Sequence, residues 1–273
     1  MCLLSWNCRG LGNPRAVRVL RDILKTHQPE LIFLSETLSV GNKIAELSSM
    51  FGFSNFFSVD RQGRGGGIAV MWKHSTSCEV VDFSQNHIDI VITENSAASW
   101  RLTCYYGFSE RDRRNAAWDF IRLLASKSQL PWCIFGDFND LLYASDKKGR
   151  HPHPQNLLKG FKTAIEDCLL GEIDLVGGKF TWEKGKGTAD WVREKLDRAF
   201  PTDLWWHMFP LCTLSVTHSS ISVHDPIILN FFNTNVTKKQ FRFKFENTWL
   251  KEPTFHTEVT KFWKELPSSH LIP

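Results

Sequence analysis

Short apolar runs separated by turn residues predict a chain of alternating strands and helices. Runs of this kind are typical of buried strands. They lie at residues 3–6, 31–34, 68–72, 79–83, 87–93, 100–106 and 132–135, and further short strands are predicted near 179–182, 195–200 and 226–232. The strands come in pairs, without a regular strand–helix–strand repeat. This favours packed sheets with helices on their outer faces over a doubly wound parallel sheet.

Apolar stripes at helical spacing predict the helices between these strands. The first helix begins at Asn13-Pro14, where Asn is a good N-cap and Pro suits the first helical position, and Pro29 ends it. Further helices are predicted over residues 44–51 and 116–125. A fourth follows from a stripe formed by Leu158, Phe161, Ile165 and Leu169.

The pattern changes beyond residue 232. Residues 238–245 alternate basic and aromatic side chains, and residues 249–263 look helical. This tail of about forty residues is too short to bury a core of its own. We therefore predict one domain over residues 1–232, followed by a basic-aromatic tail over residues 233–273.

The composition excludes a disordered or collagen-like chain, because 42% of the residues are hydrophobic and 13% are aromatic. The 33 Lys and Arg exceed the 29 Asp and Glu by four, so an anionic partner is allowed but not required. The chain has seven cysteines, an odd number, without C-x-x-C spacing. Buried free thiols are favoured over a zinc site or a disulfide framework.

The N-terminal residues lack the basic and long apolar regions of a signal peptide. Nor does any apolar run approach the ~20 residues of a membrane helix. We therefore expect an intracellular protein without a membrane partner.

Polar side chains recur where the apolar strands end or begin, and the ends of neighbouring strands can converge into a cleft. These residues are Asn7, Glu36, Tyr106, Asp137, Asn139, Asp197 and His224. Each alone has an ordinary structural alternative, such as a turn, a surface charge, an ion pair with a neighbouring arginine or a half-buried aromatic.

Together these residue types fit phosphodiester hydrolysis. A carboxylate such as Glu36 can hold Mg²⁺ through oxygen, and the metal neutralises the charge that develops on phosphate. A histidine such as His224, paired with an aspartate such as Asp197, keeps one tautomer. Asparagine and tyrosine donors can hold phosphate oxygens.

Seven short motifs in a fixed order carry a family resemblance. They are Trp6-Asn7-Cys8-Arg9-Gly10-Leu11-Gly12, Leu34-Ser35-Glu36-Thr37, Tyr106-Gly107, Gly136-Asp137-Phe138-Asn139, Phe180-Thr181-Trp182, Leu196-Asp197-Arg198 and Ser222-Val223-His224-Asp225-Pro226-Ile227. Over residues 1–232 the chain resembles the endonuclease/exonuclease/phosphatase family. That family includes apurinic endonucleases, deoxyribonuclease I and the nuclease domains of LINE-type (non-LTR) retrotransposons. The first motif looks most like retrotransposon-derived members from plant genomes.

The resemblance implies a deoxyribonuclease I-like fold. This is a four-layered α/β sandwich, with two packed mixed β-sheets flanked by helices. It also implies that Glu36 binds the metal, that Asn7 lies beside metal and phosphate, and that Tyr106 contacts the scissile phosphate.

The same resemblance assigns the acid–base residues. Asp137 matches the aspartate that activates the attacking water or protonates the leaving group, and Asn139 orients it. Asp197 matches the partner of the catalytic histidine, which is His224.

Contacts to DNA are expected at the rim of the site. Thr181 and Trp182 match a family motif near this rim. Lys147, Lys148 and Arg150 follow a catalytic strand and could meet phosphates, although solvated loop charges are an equally good reading.

One position departs from the family pattern. The family has Ser-Asp-His where this chain has Ser222-Val223-His224, and that aspartate normally helps to hold the metal. Valine cannot bind a metal, so weaker Mg²⁺ affinity and reduced turnover are expected unless Asp225 compensates. On an extended strand, residues 223 and 225 share one face.

The resemblance therefore implies a DNA endonuclease of retrotransposon type that uses Mg²⁺, with Mn²⁺ as an alternative, and has impaired activity. It would leave a 3′-hydroxyl and a 5′-phosphate. A catalytically dead pseudoenzyme is the alternative, and a phosphatase of the same family is less favoured. We expect a monomer without a small-molecule cofactor, located in the nucleus, with the cytoplasm as the second choice. The tail would be an interrupted linker toward an absent reverse transcriptase.

Overall fold

A computed structural model describes residues 1–63, 65–94 and 98–231, together with residues 255, 257, 260 and 261. Residues Met1–Asn233 form one compact unit and Thr234–Pro273 a second. Apart from the four separate positions, the predicted basic-aromatic tail lies outside the described residues.

The described part of the first unit alternates strands and helices in the predicted manner. The helices are α1 (Pro14–His27), α2 (Gly41–Phe51), α3 (Arg114–Ser126), α4 (Gln155–Asp167) and α5 (Asp203–Met208). The strands are β1 (Cys2–Asn7), β2 (Leu31–Ser35), β3 (Asn55–Val59), β4 (Ile68–Trp72), β5 (Ser77–Ser84), β6 (His87–Glu94), β7 (Ala98–Tyr106), β8 (Trp132–Asp137), β9 (Lys147–Lys148), β10 (Leu175–Val176), β11 (Trp182–Lys184), β12 (Val192–Glu194), β13 (Asp197–Pro201), β14 (Thr213–Val216) and β15 (Ile227–Asn230).

Two large mixed sheets pack face to face. A seven-stranded sheet has the order β10-β14-β15-β1-β2-β4-β3, and a five-stranded sheet has the order β13-β8-β7-β6-β5. Strand β1 is parallel to β2, and β7 is parallel to β8, whereas most other pairs are antiparallel. A small third sheet has the order β11-β12-β9.

Side-chain alternation along the strands builds the layers. Leu3 of β1 points into the core between the two sheets, whereas Leu4 points outward into the core beneath α1 and α2. Helices α3 and α4 cover the outer face of the five-stranded sheet through residues such as Ile121 and Phe161. The prediction of a four-layered α/β sandwich is therefore confirmed.

Several short elements differ from the sequence prediction. The sequence does not predict strands β3, β9, β10, β12 and β14 or helix α5, because they are short or mix polar with apolar side chains. The strand predicted at residues 179–182 begins only at Trp182 and runs to Lys184. Leu169 lies beyond the end of α4, with a φ of 53° and 79% exposure, so it does not belong to the apolar stripe.

Strand register places the ends of β7, β8 and β13 together. Tyr106 lies opposite Asp137 in the parallel pair, and Asp137 lies opposite Asp197 in the antiparallel pair. Glycine permits this approach, because a Cβ on Gly136 would lie 2.1 Å from the carbonyl oxygen of Tyr105. One end of the five-stranded sheet, where these strands start or stop, thus presents three predicted site residues side by side.

All seven cysteines are free, as predicted from their number and spacing. Among the described helices, none is long and apolar enough to cross a membrane.

Candidate active site

Asn7, at the end of β1, connects the two sheets within the site. Its Nδ2 donates to Oε1 of Glu36 at 2.8 Å and to Oδ2 of Asp137 at 3.0 Å. The same nitrogen lies 3.5 Å from Nε2 of His224. The amide of Asn7 therefore links a residue that follows β2, the last residue of β8 and a residue that precedes β15.

Glu36 follows β2 and turns its carboxylate toward the site from a left-handed backbone position, with a φ of 49°. Its Oε1 also accepts from the hydroxyl of Tyr106 at 3.0 Å. Burial, reinforced by the charges of Glu36 and Asp137, raises the pKa of Tyr106. The phenol therefore stays protonated and acts as a hydrogen-bond donor.

His224 lies between two buried carboxylates. Its Nδ1 is 3.1 Å from Oδ2 of Asp197, and its Nε2 is 3.8 Å from Oδ2 of Asp137. Burial lowers the pKa of His224, but the charges of Asp137 and Asp197 outweigh this and raise it to about 9. The imidazole is therefore protonated near neutral pH.

Asp137 lies at the end of β8 and is completely buried. Burial raises its pKa to about 6, although the charge of His224 acts in the opposite direction. Its Oδ1 accepts from the backbone N–H of Asn139 at 2.9 Å, and the Asn139 side chain donates to the carbonyl of Gly107 at 3.0 Å. Asn139 thus fixes the carboxylate of Asp137 through its backbone.

Two groups of residues could hold a divalent metal. Asp137, Asp197 and His224 each offer a ligand atom, and these atoms lie within 4.8 Å of one another. However, the Nδ1 of His224 is already paired with Asp197, and Mg²⁺ prefers oxygen ligands to imidazole. Asn7 Oδ1 is buried without a hydrogen-bond partner among the described residues, and the side chain of Glu36 is 24% exposed. The oxygen donors of Glu36 and Asn7 therefore fit a hard divalent cation better.

Trp6 and Ser222 support the site. Both residues lie within the sequence motifs, but the motifs do not predict this supporting role. The indole of Trp6 donates to the carbonyl of His224 at 3.0 Å. The hydroxyl of Ser222 donates to the carbonyl of Asn7 at 2.8 Å and accepts from the backbone N–H of His224 at 3.1 Å. Both residues therefore attach the segment that carries His224 to strand β1.

Thr181 has a different position from the one predicted for a substrate-binding residue. It is completely buried, so it does not lie on the surface that a DNA strand could touch. Its hydroxyl accepts from the backbone N–H groups of Leu196 and Asp197, both at 3.0 Å. This corrects the predicted substrate contact, because Thr181 instead positions the start of β13.

We expect Thr181→Val to lower the free energy of unfolding by ~1–3 kcal/mol, because it leaves two buried N–H groups without an acceptor. Thr181→Ser keeps the acceptor and is the matched control. Urea unfolding of both variants and the wild type tests this. Equal stability of the valine and serine variants would contradict the assigned role.

The other residues predicted to contact DNA differ in how exposed they are and in what they contact. Lys147 forms an ion pair with Glu194 at 2.6 Å, so a contact with phosphate would have to compete with this carboxylate. Lys148 and Arg150 are exposed, and Nζ of Lys148 lies 5.4 Å from the ring centre of Trp191. Trp182 is half-buried, 6.4 Å from the His224 ring between centroids.

The segment around Val223 pairs with the start of β11. The carbonyl of Val223 accepts from the N–H of Glu183 at 2.9 Å, and the N–H of Asp225 donates to the carbonyl of Thr181 at 2.7 Å. Oδ1 of Asp225 accepts from the N–H of Ser219 at 2.8 Å and lies 3.1 Å from Nδ1 of His218. Asp225 is therefore occupied by the loop before it, and the structure gives no support to its compensating for Val223.

Comparison with known proteins identifies the family. The model of the endonuclease/exonuclease/phosphatase family matches residues 4–213. A search of curated protein sequences found no match.

Solved structures share the fold at low sequence identity. The endonuclease domain of TRAS1, a telomere-specific non-LTR retrotransposon, has a TM-score of 0.61 at 14% identity, covering 86% of this chain and 99% of that one. An AP endonuclease from Archaeoglobus fulgidus has a TM-score of 0.63 at 13% identity, covering 85% and 99%. A 3′-5′ exonuclease from Neisseria meningitidis has a TM-score of 0.61 at 17% identity, again covering 85% and 99%. Because the family model matches residues 4–213, which is most of the chain, the chain belongs to the endonuclease/exonuclease/phosphatase family.

Proposed function

We propose that the chain is a metal-dependent phosphodiester hydrolase, and more narrowly a DNA endonuclease of retrotransposon type whose turnover is lowered by Val223. The observation that carries this proposal is the continuous network from Glu36 through Asn7 and Asp137 to His224. The motif at residues 6–12 supports the retrotransposon type, as does the shared fold with the TRAS1 domain. Mg²⁺ is the proposed metal, with Mn²⁺ as a substitute.

The mechanism starts from the groups that would bind the phosphate. Glu36 and Asn7 would hold the metal, which when bound neutralises charge that develops on the phosphate. The protonated hydroxyl of Tyr106 supplies a donor toward a phosphate oxygen. His224 is held by Asp197, and its positively charged ring lies next to the Asn7 side chain.

Asp137 is placed to accept a proton from the attacking water, because its raised pKa makes it a stronger base than an exposed carboxylate. In the proposed step, the water oxygen forms a bond to phosphorus and the bond to the 3′-oxygen breaks. The departing 3′-oxygen takes up a proton from solvent and becomes a 3′-hydroxyl, and the other strand end keeps a 5′-phosphate. His224, whose Nε2 lies 3.8 Å from Oδ2 of Asp137, places a positive charge beside this proton transfer.

The small sheet β11-β12-β9 supports DNA as the substrate. It is joined to the site by a β-bridge between Trp182 and His224, and it carries Lys148, with Arg150 just beyond β9. Basic side chains beside a phosphodiesterase site can bind the phosphates that flank the cleaved bond.

We expect Lys148→Gln combined with Arg150→Gln to weaken duplex binding uniformly across sequences. Because two phosphate contacts would be lost, the slope of log affinity against log salt should fall by ~2. Fluorescence anisotropy of a labelled duplex in EDTA measures this without cleavage. The double variant Lys159→Gln, Lys162→Gln on helix α4 is the control. An unchanged slope would remove these loops from the DNA-binding surface.

A plasmid nicking assay tests the function and the proposed effect of Val223. We expect slow nicking by the wild type in Mg²⁺, and about tenfold faster nicking by Val223→Asp, since a restored ligand strengthens metal binding and activity. Glu36→Ala serves as the blank for contaminating nuclease. Equal rates for the wild type and Val223→Asp would show that Val223 does not limit the enzyme.

A second candidate is a pseudoenzyme that binds DNA without cutting it. It is favoured because residue 223 has no carboxylate and the carboxylate of Asp225 is already hydrogen-bonded to its own loop. Nicking by Val223→Asp alone, with an inactive wild type, would support this candidate. Release of phosphate from phospholipid or inositol phosphate substrates, without nicking, would instead support a phosphatase. A location in the nucleus would follow from the proposed DNA substrate, and we propose that the chain acts as a monomer.

A further inference from the structure

The backbone of Arg9 is held beside the carboxylate of Glu36, the proposed metal ligand, in the loop after β1. Hydrogen bonds on both sides of it tie this loop to the segment after β2: the N–H of Cys8 donates to the carbonyl of Ser35 at 3.0 Å, and that of Gly10 donates to the carbonyl of Glu36 at 2.8 Å. Arg9 itself has a φ of 49°, an unfavourable conformation for a residue with a side chain. The backbone therefore holds residue 9 in a defined place next to Glu36.

The two carboxylate oxygens of Glu36 have different surroundings. Oε1 accepts hydrogen bonds from Asn7 and Tyr106, at 2.8 and 3.0 Å. Oε2 faces Nε of Arg9 at 3.7 Å. Since Oε1 is satisfied by two donors, Oε2 is the oxygen that remains for a cation, and the Arg9 guanidinium lies on that side.

The charges around Oε2 of Glu36 are less negative than a divalent metal site requires. A divalent cation is stabilised by neighbouring anionic oxygens, and residue 223 contributes none. The positive charge of Arg9 forms an ion pair, at 3.7 Å, with the carboxylate that would hold the cation. Both features weaken metal binding, but only Arg9 does so by occupying the ligand.

We infer that Arg9 competes with the divalent cation for the Oε2 oxygen of Glu36, and so sets a weak metal affinity in the absence of DNA. The inference rests on the proposed role of Glu36 as the metal ligand. Metal binding would displace the guanidinium, whose side chain is 53% exposed and can turn into solvent.

Binding of Mn²⁺ alone tests the inference without any DNA. The loss of the free-ion signal in electron paramagnetic resonance gives the dissociation constant for each purified variant of the 273-residue chain. Because exposed ion pairs are weak, we expect Arg9→Gln to tighten Mn²⁺ binding about two- to fivefold. Arg9→Lys keeps the positive charge and should retain most of the weak affinity. Arg15→Gln, an exposed arginine on α1, should leave the constant unchanged.

A double-mutant cycle separates this inference from the proposed function. In a Glu36→Gln background, Arg9→Gln should have no effect, because the oxygen for which Arg9 competes no longer carries charge. If Glu36→Gln leaves Mn²⁺ binding unchanged, the proposed metal site is wrong. If Glu36→Gln weakens binding but Arg9→Gln does not tighten it, only the competition is overturned. Weaker duplex binding by Arg9→Gln with an unchanged Mn²⁺ constant would make Arg9 a phosphate contact instead, and would also overturn the inference.

Discussion

Replacement of Asp197 by asparagine is expected to lower the rate of DNA nicking by ~10⁴-fold, the loss seen when a catalytic histidine is no longer held by its carboxylate. Asp197 accepts from Nδ1 of His224 at 3.1 Å and is completely buried. An amide in its place does not stabilise a positive charge on the imidazole, and it can fix the ring in the wrong tautomer. The pKa of His224 should also fall, because one of the two carboxylates that raise it is removed.

The fold should survive this substitution, because asparagine has the shape of aspartate and the backbone N–H of residue 197 keeps its bond to Thr181. Plasmid nicking and thermal unfolding are measured on the same preparations. Asp174→Asn, at an exposed position in the loop before β10, is the matched control and should retain full activity. A loss of less than tenfold with an intact fold would show that Asp197 does not support catalysis through His224.

The second large effect concerns stability. Arg198 follows Asp197 in β13, is completely buried, and forms ion pairs with Asp146, at 2.6 Å, and with Glu172. Arg198→Ala would leave the buried carboxylate of Asp146 without its cation, whereas Glu172 would keep its ion pair with Lys195 at 2.7 Å. We expect the free energy of unfolding to fall by ~3–5 kcal/mol, as when one partner of a buried ion pair is removed.

Arg122 provides a matched control for this prediction. It also pairs with two carboxylates, those of Asp119 and Asp167, but its side chain is 35% exposed. Arg122→Ala should therefore cost less than about 1 kcal/mol. Equilibrium unfolding in urea compares both variants with the wild type. If the two substitutions lower the free energy of unfolding equally, burial does not determine how much Arg198 stabilises the fold.

The sequence predicts most of the site because its side chains stand at the ends of apolar strands. Positions at strand ends allow Glu36, Tyr106 and Asp137 to converge, but it is the resemblance of the seven ordered motifs to the family that assigns them to one site. The four layers follow from the same pattern, since each apolar run or stripe must be covered by another element. The structure places the predicted Asn7, Asp197 and His224 in direct contact with this group or with each other.

The parts that the sequence does not predict depend on contacts between distant residues. Trp6 and His224 are 218 positions apart, and the hydrogen bond between them has no local signal. In the same way, nothing near Lys147 in the sequence shows that Glu194, 47 positions away, engages its charge. Thr181 reads as a rim residue from its motif, and only the packing of β13 shows that it is buried.

Nicking of supercoiled plasmid by the wild-type chain tests the central claim most directly. Reactions contain Mg²⁺ or Mn²⁺, with EDTA and Glu36→Ala as blanks, and DNA ligase is then added to the products. We predict metal-dependent single-strand nicks that ligase reseals, because the proposed reaction leaves a 3′-hydroxyl and a 5′-phosphate. A wild-type chain that nicks no faster than Glu36→Ala with either metal would contradict the account.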